Sequence, residues 1–357
     1  MIQKFLKKFF IGSALLLLLC MAAVILFDPF FQYHKPLPGL KAVLTDKEYQ
    51  CVGSLKNFDY DSVIAGSSVS ENYNNRWFDE LFGCTSIKAI RSYGATADLC
   101  YLLDVAFREH ELKYVFYNLD PSALSAEPVT TFESTGCPMY LYDDNYLNDV
   151  EYLLNKDVLF EKIPYLIAQS LTGDYDEGNS YNWAQWKSFN SDMVLGLYIR
   201  KKTVNEMKSA DFYSVQLEGN LALLEKEITS HPETIFKISI PPYSMLWWDN
   251  IYRYGDTESY LYNLESAMER LLVHDNVELY FFLNDRKVVT NLENYMDLLH
   301  FSPEINEYIC NAMAQGSHKV TRENYGQIMA DLRGFAYEVT EELVKPYEER
   351  IKVDIYD

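Results

Sequence analysis

Short apolar runs alternate with helical patterns along most of the chain beyond residue 60. Each run is five to seven residues long and is followed by turn-forming or polar residues, which is typical of buried strands. Strands that alternate with helices indicate βαβ units and a parallel sheet. We expect an α/β fold of the flavodoxin-like type, a three-layer α/β/α sandwich with a five-stranded parallel sheet. The predicted strands are 61–65, 86–90, 113–117, 234–240 and 277–282, and the predicted helices are 71–82, 97–110, 260–272 and two segments after Pro303 and Thr321.

The alternation stops between about residues 123 and 231. This stretch is rich in Tyr, Asn and Asp, and it shows helical patterns only around 146–154 and 204–229. It has no obvious linker and no low-complexity run, either of which would mark a separate domain. We therefore interpret it as an insertion that lies over the sheet.

The N-terminal region is continuously apolar instead of alternating. Residues 9–27 form a 19-residue stretch without a charge, long enough to cross a hydrocarbon core of ~30 Å. Lysines precede it, so the positive-inside rule predicts a cytoplasmic basic tail (1–8), a transmembrane anchor (9–27) and an extracytoplasmic domain (28–357). The alternative is a cleavable signal peptide, but the run is long for one and lacks a clear small-x-small cleavage site. No second comparable run is present, so we expect a single-pass membrane protein.

Composition and charge limit the classes of partner. Hydrophobic residues make up 48% of the chain and aromatic residues 15%, enough to fill a large core. The formal net charge is −21, and three lysines precede the apolar run, so the rest of the chain is still more acidic. Such a surface repels phosphate backbones, which argues against nucleic acid as a partner.

Cysteine usage leaves two interpretations open. Cys20 falls inside the apolar run, and five more cysteines follow it. An exported domain could pair some of them, with Cys51 and Cys84 as the first candidates. The alternative is that all are buried free thiols, since their number is odd. Their spacing matches no metal site, and we predict neither a metal nor a cofactor.

Polar residues follow the predicted strands, where ligands bind in open parallel sheets. A serine hydroxyl is a weak nucleophile until a histidine takes its proton, and a carboxylate must hold that histidine in the right tautomer. Asp297 and His300 are three residues apart and can make that contact locally. Ser68, with Ser67 as the fallback, can supply the nucleophile. The other residues at strand ends are Gly94, Asn118, Asp120, Tyr243 and Ser244.

These residues carry a resemblance to a known family. The segment Val63-Ile-Ala-Gly66-Ser67-Ser68 resembles the first block of SGNH/GDSL hydrolases, and Asp297-Leu-Leu-His300 resembles their last block, Asp-x-x-His. The resemblance implies the SGNH hydrolase fold, with Ser68 as nucleophile, His300 as general base and Asp297 as the acid that orients it. It also implies an oxyanion hole formed by the backbone N–H groups of Ser68 and Gly94 and the side chain of Asn118.

The third block of the family, Gly-x-Asn-Asp, is replaced here by Tyr117-Asn118-Leu119-Asp120. Either Asn118 or Asp120 can face the site. This departure favours divergent, membrane-anchored members of the family, those of cell-surface glycan O-acetylation and teichoic acid D-alanylation. Such proteins work beside a multispanning membrane-bound O-acyltransferase. The resemblance covers scattered blocks between residues 59 and 302.

The sequence therefore predicts a serine esterase or O-acyltransferase that acts on acyl esters, acetyl above all, of a cell-surface polysaccharide. The alternative is a catalytically silent scaffold that binds a glycan or a membrane acyltransferase. Asp120, Tyr243, Ser244 and Trp247 are the candidate substrate-binding residues. Trp247 could stack on a sugar ring or pack the insertion onto the sheet. Trp183 and Trp186 are interpreted as core residues.

Overall fold

The computed structural model describes residues 1–354, which fold into two compact units. The first unit combines Met1–Asp59 with Phe132–Tyr181. The second combines Tyr60–Thr131 with the chain from Asn182 onward. The predicted insertion is thus divided, because its middle part joins the N-terminal region and both its ends join the second unit.

A six-stranded sheet forms the centre of the second unit. Its order is β2-β1-β3-β4-β5-β6, in which the first five strands are parallel and β6 runs antiparallel to β5. The order of the parallel strands, 2-1-3-4-5, is the flavodoxin-like order. All five predicted strands are confirmed to within one residue, but the sheet has a sixth, antiparallel strand that the prediction of a five-stranded parallel sheet lacks. The strands are β1 (Ser62–Gly66), β2 (Ser86–Ile90), β3 (Tyr114–Asn118), β4 (Ile235–Ile240), β5 (Val277–Phe281) and β6 (Lys319–Val320).

The helices of the second unit pack in two groups. One contains α3 (Asn75–Phe82) and α12 (Pro303–Gln315), and the other contains α4 (Thr96–Glu109), α8 (Ser214–Ser230), α10 (Thr257–Leu271) and α13 (Tyr325–Glu338). Because strand crossovers are right-handed, the reversal of strand order after β2 places α3 and α4 on opposite faces of the sheet. This burial on both faces explains why the strands are apolar along most of their length. The shorter helices of this unit are α7 (Ser191–Leu197), α9 (Met245–Arg253) and α11 (Arg286–Val289).

The first unit contains the N-terminal apolar helix, α1 (Ile2–Phe27). It is 26 residues long and apolar enough to span a membrane, and it is the one such helix among residues 1–354. The predicted basic tail is part of this helix, because lysine favours helices and nothing before residue 9 interrupts the pattern. The other helices of the unit are α2 (Lys47–Asn57), α5 (Val150–Leu153) and α6 (Ile163–Thr172).

All six cysteines are free thiols. The possible Cys51–Cys84 disulfide is therefore not formed in this structure. Cys51, Cys100, Cys137 and Cys310 are buried, as the free-thiol interpretation requires. Their sulfur atoms pack as small apolar groups.

Candidate active site

The turn after β1 presents a single accessible hydroxyl. Ser67 is buried, whereas Ser68 is partly exposed between buried neighbours. The N–H of Ser70 donates to the carbonyl of Ser67 over 2.9 Å and closes the turn. A Cβ on Gly66 would lie 2.2 Å from Ser70 Oγ and 2.9 Å from Asn118 Cβ. Only glycine therefore fits at the end of the strand that delivers Ser68.

A chain of hydrogen bonds joins Ser68, His300 and Asp297. Ser68 Oγ lies 2.8 Å from His300 Nε2, and His300 Nδ1 lies 2.7 Å from Asp297 Oδ2. With a proton on Nδ1 directed at the carboxylate, Nε2 is left to accept the serine proton. These are the three residues that the sequence predicts as a triad, and the structure places them within hydrogen-bond distance of one another. This arrangement has the geometry that a serine nucleophile, a general base and an orienting acid require.

The loop between α11 and α12 holds His300 and Asp297. Within this loop, Tyr295 and Phe301 pair through an antiparallel bridge. The hydroxyl of Tyr295 donates to the carbonyl of Pro242 over 2.7 Å, and the N–H of Ser244 donates to the carbonyl of Leu298 over 3.0 Å. The segment after β4 thus fixes the loop that carries the base.

Asp297 is built to remain ionised. Burial alone would raise its pKa. The hydrogen bond and charge of His300, together with two backbone donors, lower the pKa by more than burial raises it. These donors are the N–H groups of Leu299 and His300, 2.9 and 2.8 Å from Oδ1. The net result is a pKa below the ordinary range. A carboxylate that stays negative stabilises the imidazolium that forms when His300 accepts a proton.

Of the three predicted oxyanion donors, only one is unengaged. The backbone N–H of Ser68 has no acceptor among the described residues. The N–H of Gly94 donates to the carbonyl of Arg91 over 3.0 Å, and the backbone of Gly94 packs against Ser67. Asn118 Nδ2 donates to Asp120 over 3.0 Å, which leaves its second N–H hydrogen for another acceptor.

Asp120 and Asn118 are both buried beside the turn after β1 that carries Ser67 and Ser68. The Asp120 carboxylate accepts hydrogen bonds from the hydroxyl groups of Ser67 and Tyr243 as well as from Asn118. Burial raises the pKa of Asp120, although these donors and the nearby His300 lower it in part. Ser67 is therefore committed to Asp120, which favours Ser68 over Ser67 as the nucleophile.

The other candidate substrate-binding residues lie beneath the site. Tyr243 and Ser244 are buried, and their contacts support Asp120 and the His300 loop. Trp247 is 4% exposed and packs against Tyr243, Trp248 and Tyr260. This burial favours the packing interpretation of Trp247 over stacking on a sugar ring.

Trp183, which was predicted to be a core residue, contacts two members of the hydrogen-bonded chain, Ser68 and His300. Its Nε1–H donates to the carbonyl of Ser68 over 3.2 Å, and its ring lies edge-on to His300 with the centroids 5.0 Å apart. Its neighbours Asn182 and Ala184 are bonded to Asn72, over 3.2 and 3.1 Å. Trp183 follows no predicted strand, so no sequence signal pointed to it.

An open cleft of about 470 Å³ lies along the same two segments that carry Trp183 and His300. Its lining is mostly polar and includes one aromatic side chain. Trp186, also assigned to the core from sequence, is 84% exposed and lies between two lining residues in the chain. The cleft is lined by Ala184, Lys187, Phe189, Glu293, Asn294, Ser302, Pro303 and Glu304.

No protein-family model matches the sequence, and no curated protein matches it at a significant level. Among residues 1–354, no group of three or more His, Cys, Asp or Glu side chains is placed to hold a metal ion.

Proposed function

We propose that this protein is a membrane-anchored serine esterase or O-acyltransferase whose catalytic domain lies outside the cytoplasm. The observation that carries the proposal is the relay Ser68–His300–Asp297, with distances of 2.8 and 2.7 Å. The resemblance of its first and last blocks to SGNH/GDSL hydrolases supports it, as does the flavodoxin-like strand order. The apolar helix α1 and the lysines at its start support the anchored, outward-facing topology.

The relay supports a two-step acyl transfer. Ser68 Oγ attacks the acyl carbonyl while its proton passes to His300 Nε2, and the Ser68 N–H donates to the developing oxyanion. The ester bond breaks, the leaving alkoxide takes the proton from His300, and the acyl group remains on Ser68. Water or a sugar hydroxyl then attacks the acyl-serine, losing its proton to His300. The proton returns to Ser68 Oγ when the acyl group leaves.

A carbohydrate acceptor, an O-acylated or O-acetylated cell-surface polysaccharide, is supported by the cleft beside the relay. Hydroxyl-rich rings suit a lining of carboxylate, amide, hydroxyl and ammonium groups with an aromatic side chain. The exposed Trp186 offers a further ring face. A donor delivered by a multispanning membrane-bound O-acyltransferase fits an anchored transferase, and this partner is part of the proposal.

Covalent labelling tests the nucleophile. We expect a fluorophosphonate probe to modify the full-length protein in detergent, with the adduct located on Ser68 by peptide mass spectrometry. Ser67→Ala should still be labelled, because Ser67 is bonded to Asp120 and not to His300. Ser68→Ala should not be labelled. A folded parent protein that resists the probe would contradict the enzymatic proposal.

One observation favours the scaffold as a second candidate. The expected N–H donor of Gly94 already has an acceptor, one of the two Asn118 N–H hydrogens is bonded to Asp120, and a buried carboxylate lies beside the turn that carries Ser68. Such a site would bind an acyl ester without accelerating its cleavage. Labelling of Ser68 excludes this alternative, since the probe reacts only with an activated serine.

Trp186 allows the substrate class to be tested. We expect Trp186→Ala to raise KM for acetyl-xylan by about 2- to 10-fold, the loss of one aromatic contact of ~0.5–1.5 kcal/mol. Hydrolysis of p-nitrophenyl acetate should be unchanged, because Trp186 does not touch the relay. Trp186→Phe should keep most of the affinity for the polymer. Equal losses on both substrates would instead indicate that Trp186 supports the structure of the site.

A further inference from the structure

The end of helix α1 is tied to α5 within the first unit. Asp28 adopts a left-handed conformation with φ 37°, and its N–H donates to the carbonyl of Val24 over 2.7 Å. Its buried carboxylate accepts the N–H of Tyr33 over 2.7 Å and the hydroxyl of Tyr152 over 2.7 Å. Tyr152 belongs to α5, and its oxygen also accepts the N–H of Phe30 over 3.1 Å.

This connection fixes α5 beside the C-terminal end of α1. The uncharged stretch of α1 ends at Phe27, so Asp28 marks the boundary of the hydrocarbon core for a helix that spans a membrane. Both α5 and the π-helical turn Val158–Lys162 pack against α1. A second bond, from the hydroxyl of Tyr33 to Asp149 over 2.8 Å, holds the start of α5 in place. These elements therefore lie at one surface of the bilayer, whichever way the helix is oriented.

A group of large apolar side chains at this level is exposed. We call this group the apolar ledge; its most exposed members are Leu147, at 90%, and Phe160, at 77%. Exposed apolar groups that cluster in this way usually mark an interaction surface. Tyr146 is of the residue type that is enriched at membrane–water interfaces. The ledge consists of Tyr146, Leu147, Val150, Leu154 and Phe160.

The position of the ledge favours lipid as its occupant. Its elements contact α1, whose outer surface faces acyl chains when the helix spans a bilayer, so the ledge continues a lipid-facing surface. Residues 146–162 carry four acidic and two basic side chains: Asp149, Glu151, Asp157, Glu161, Lys156 and Lys162. This mixture of charges provides no strong attraction to anionic headgroups, so apolar burial must drive the contact.

We propose that the apolar ledge inserts into the interfacial layer of the bilayer that α1 crosses, giving the first unit a second, monotopic membrane contact. A spanning helix alone leaves the attached unit free to tilt about the end of the helix. Two contacts, joined by the Asp28–Tyr152 bond, fix the orientation of the unit on the membrane. The alternative is that a transmembrane segment of a partner protein covers the ledge, and the experiment distinguishes this alternative from lipid.

Lipid-attached quenchers test the proposal on the full-length chain. Phe160→Cys is labelled with the fluorophore NBD in a Cys20→Ser, Cys84→Ser background, because the other four cysteines are buried. Val215→Cys is the matched control, since Val215 is also 77% exposed but lies on α8, in the second unit. The purified proteins are reconstituted into phosphatidylcholine vesicles with or without 5-doxyl phosphatidylcholine.

We expect the doxyl lipid to lower NBD emission at position 160 about twofold, because the ledge inserts to the depth of the headgroup–acyl boundary. Emission at position 215 should be unchanged. The purified vesicles contain no partner protein, so quenching at 160 can come only from lipid. If the doxyl lipid leaves NBD emission at position 160 unchanged, as at position 215, and aqueous iodide quenches it, the proposed bilayer contact is overturned. The apolar ledge would then be a surface for a protein partner.

Discussion

Replacing Ser68 by alanine is expected to lower kcat/KM for p-nitrophenyl acetate by at least ~10⁴-fold, and His300→Ala should cause a loss of similar size. The two side chains act as one unit through a bond of 2.8 Å, so neither can move the proton without the other. The double variant should therefore be no less active than either single variant. Initial rates of the full-length protein in detergent, at several substrate concentrations, provide the measurement.

Ser67→Ala is the matched control for this prediction. It removes the neighbouring hydroxyl, which bonds to Asp120 and lies on the buried side of the turn. We expect it to retain most of the activity. Losses in the two single variants that multiply in the double variant would show that Ser68 and His300 act independently, and the relay would then be rejected.

The second large effect is expected from Gly66→Ala. The added Cβ would lie 2.2 Å from Ser70 Oγ and 2.8 Å from Ser70 Cβ, and both atoms belong to a buried residue. The turn must shift to accommodate the added Cβ. Overpacking of this kind lowers the free energy of unfolding by about 1–3 kcal/mol. Because Ser68 is two residues further along the same turn, a displacement of ~1 Å should lower activity about 10²-fold.

Gly334→Ala provides the comparison for Gly66→Ala. Gly334 lies in α13, and a Cβ there meets no atom within 4 Å. The substitution should raise stability by up to ~1 kcal/mol, because alanine favours a helix, and it should leave activity unchanged. Thermal unfolding and p-nitrophenyl acetate hydrolysis measure both variants. Normal stability and activity in Gly66→Ala would show that the nucleophile turn is not constrained by packing at this residue.

The sequence predicted the sheet well, because each buried parallel strand is a continuous apolar run between polar residues. Ser86–Ile90 was located to the residue. The sixth strand, Lys319–Val320, was missed because two residues produce no periodic pattern. The sequence also placed Ser68, Asp297 and His300 in one hypothesis, because a fold that ends its strands at one edge brings those positions together.

The residues around the relay were predicted less well from the sequence. Trp183 and Trp186 lie in an irregular stretch, and their exposure depends on tertiary contacts that leave no local pattern. Trp247 follows a strand, as a substrate-binding residue should, yet it is buried by Tyr243 and Tyr260. The bond from Gly94 to Arg91 depends on the conformation of one turn, which residue types do not determine.

Ser68 and His300 are separated by 232 residues, and this distance along the chain has a consequence for the timing of synthesis. At ~5–20 residues per second, a ribosome needs at least about ten seconds to add His300 after it has added Ser68. The turn that carries Ser68 can fold early, but its hydroxyl stays an ordinary alcohol until the last crossover of the sheet docks. If Ser68 is the nucleophile, as we propose, a nascent chain that stops before His300 is therefore chemically silent, and reactivity begins only after the last crossover has formed.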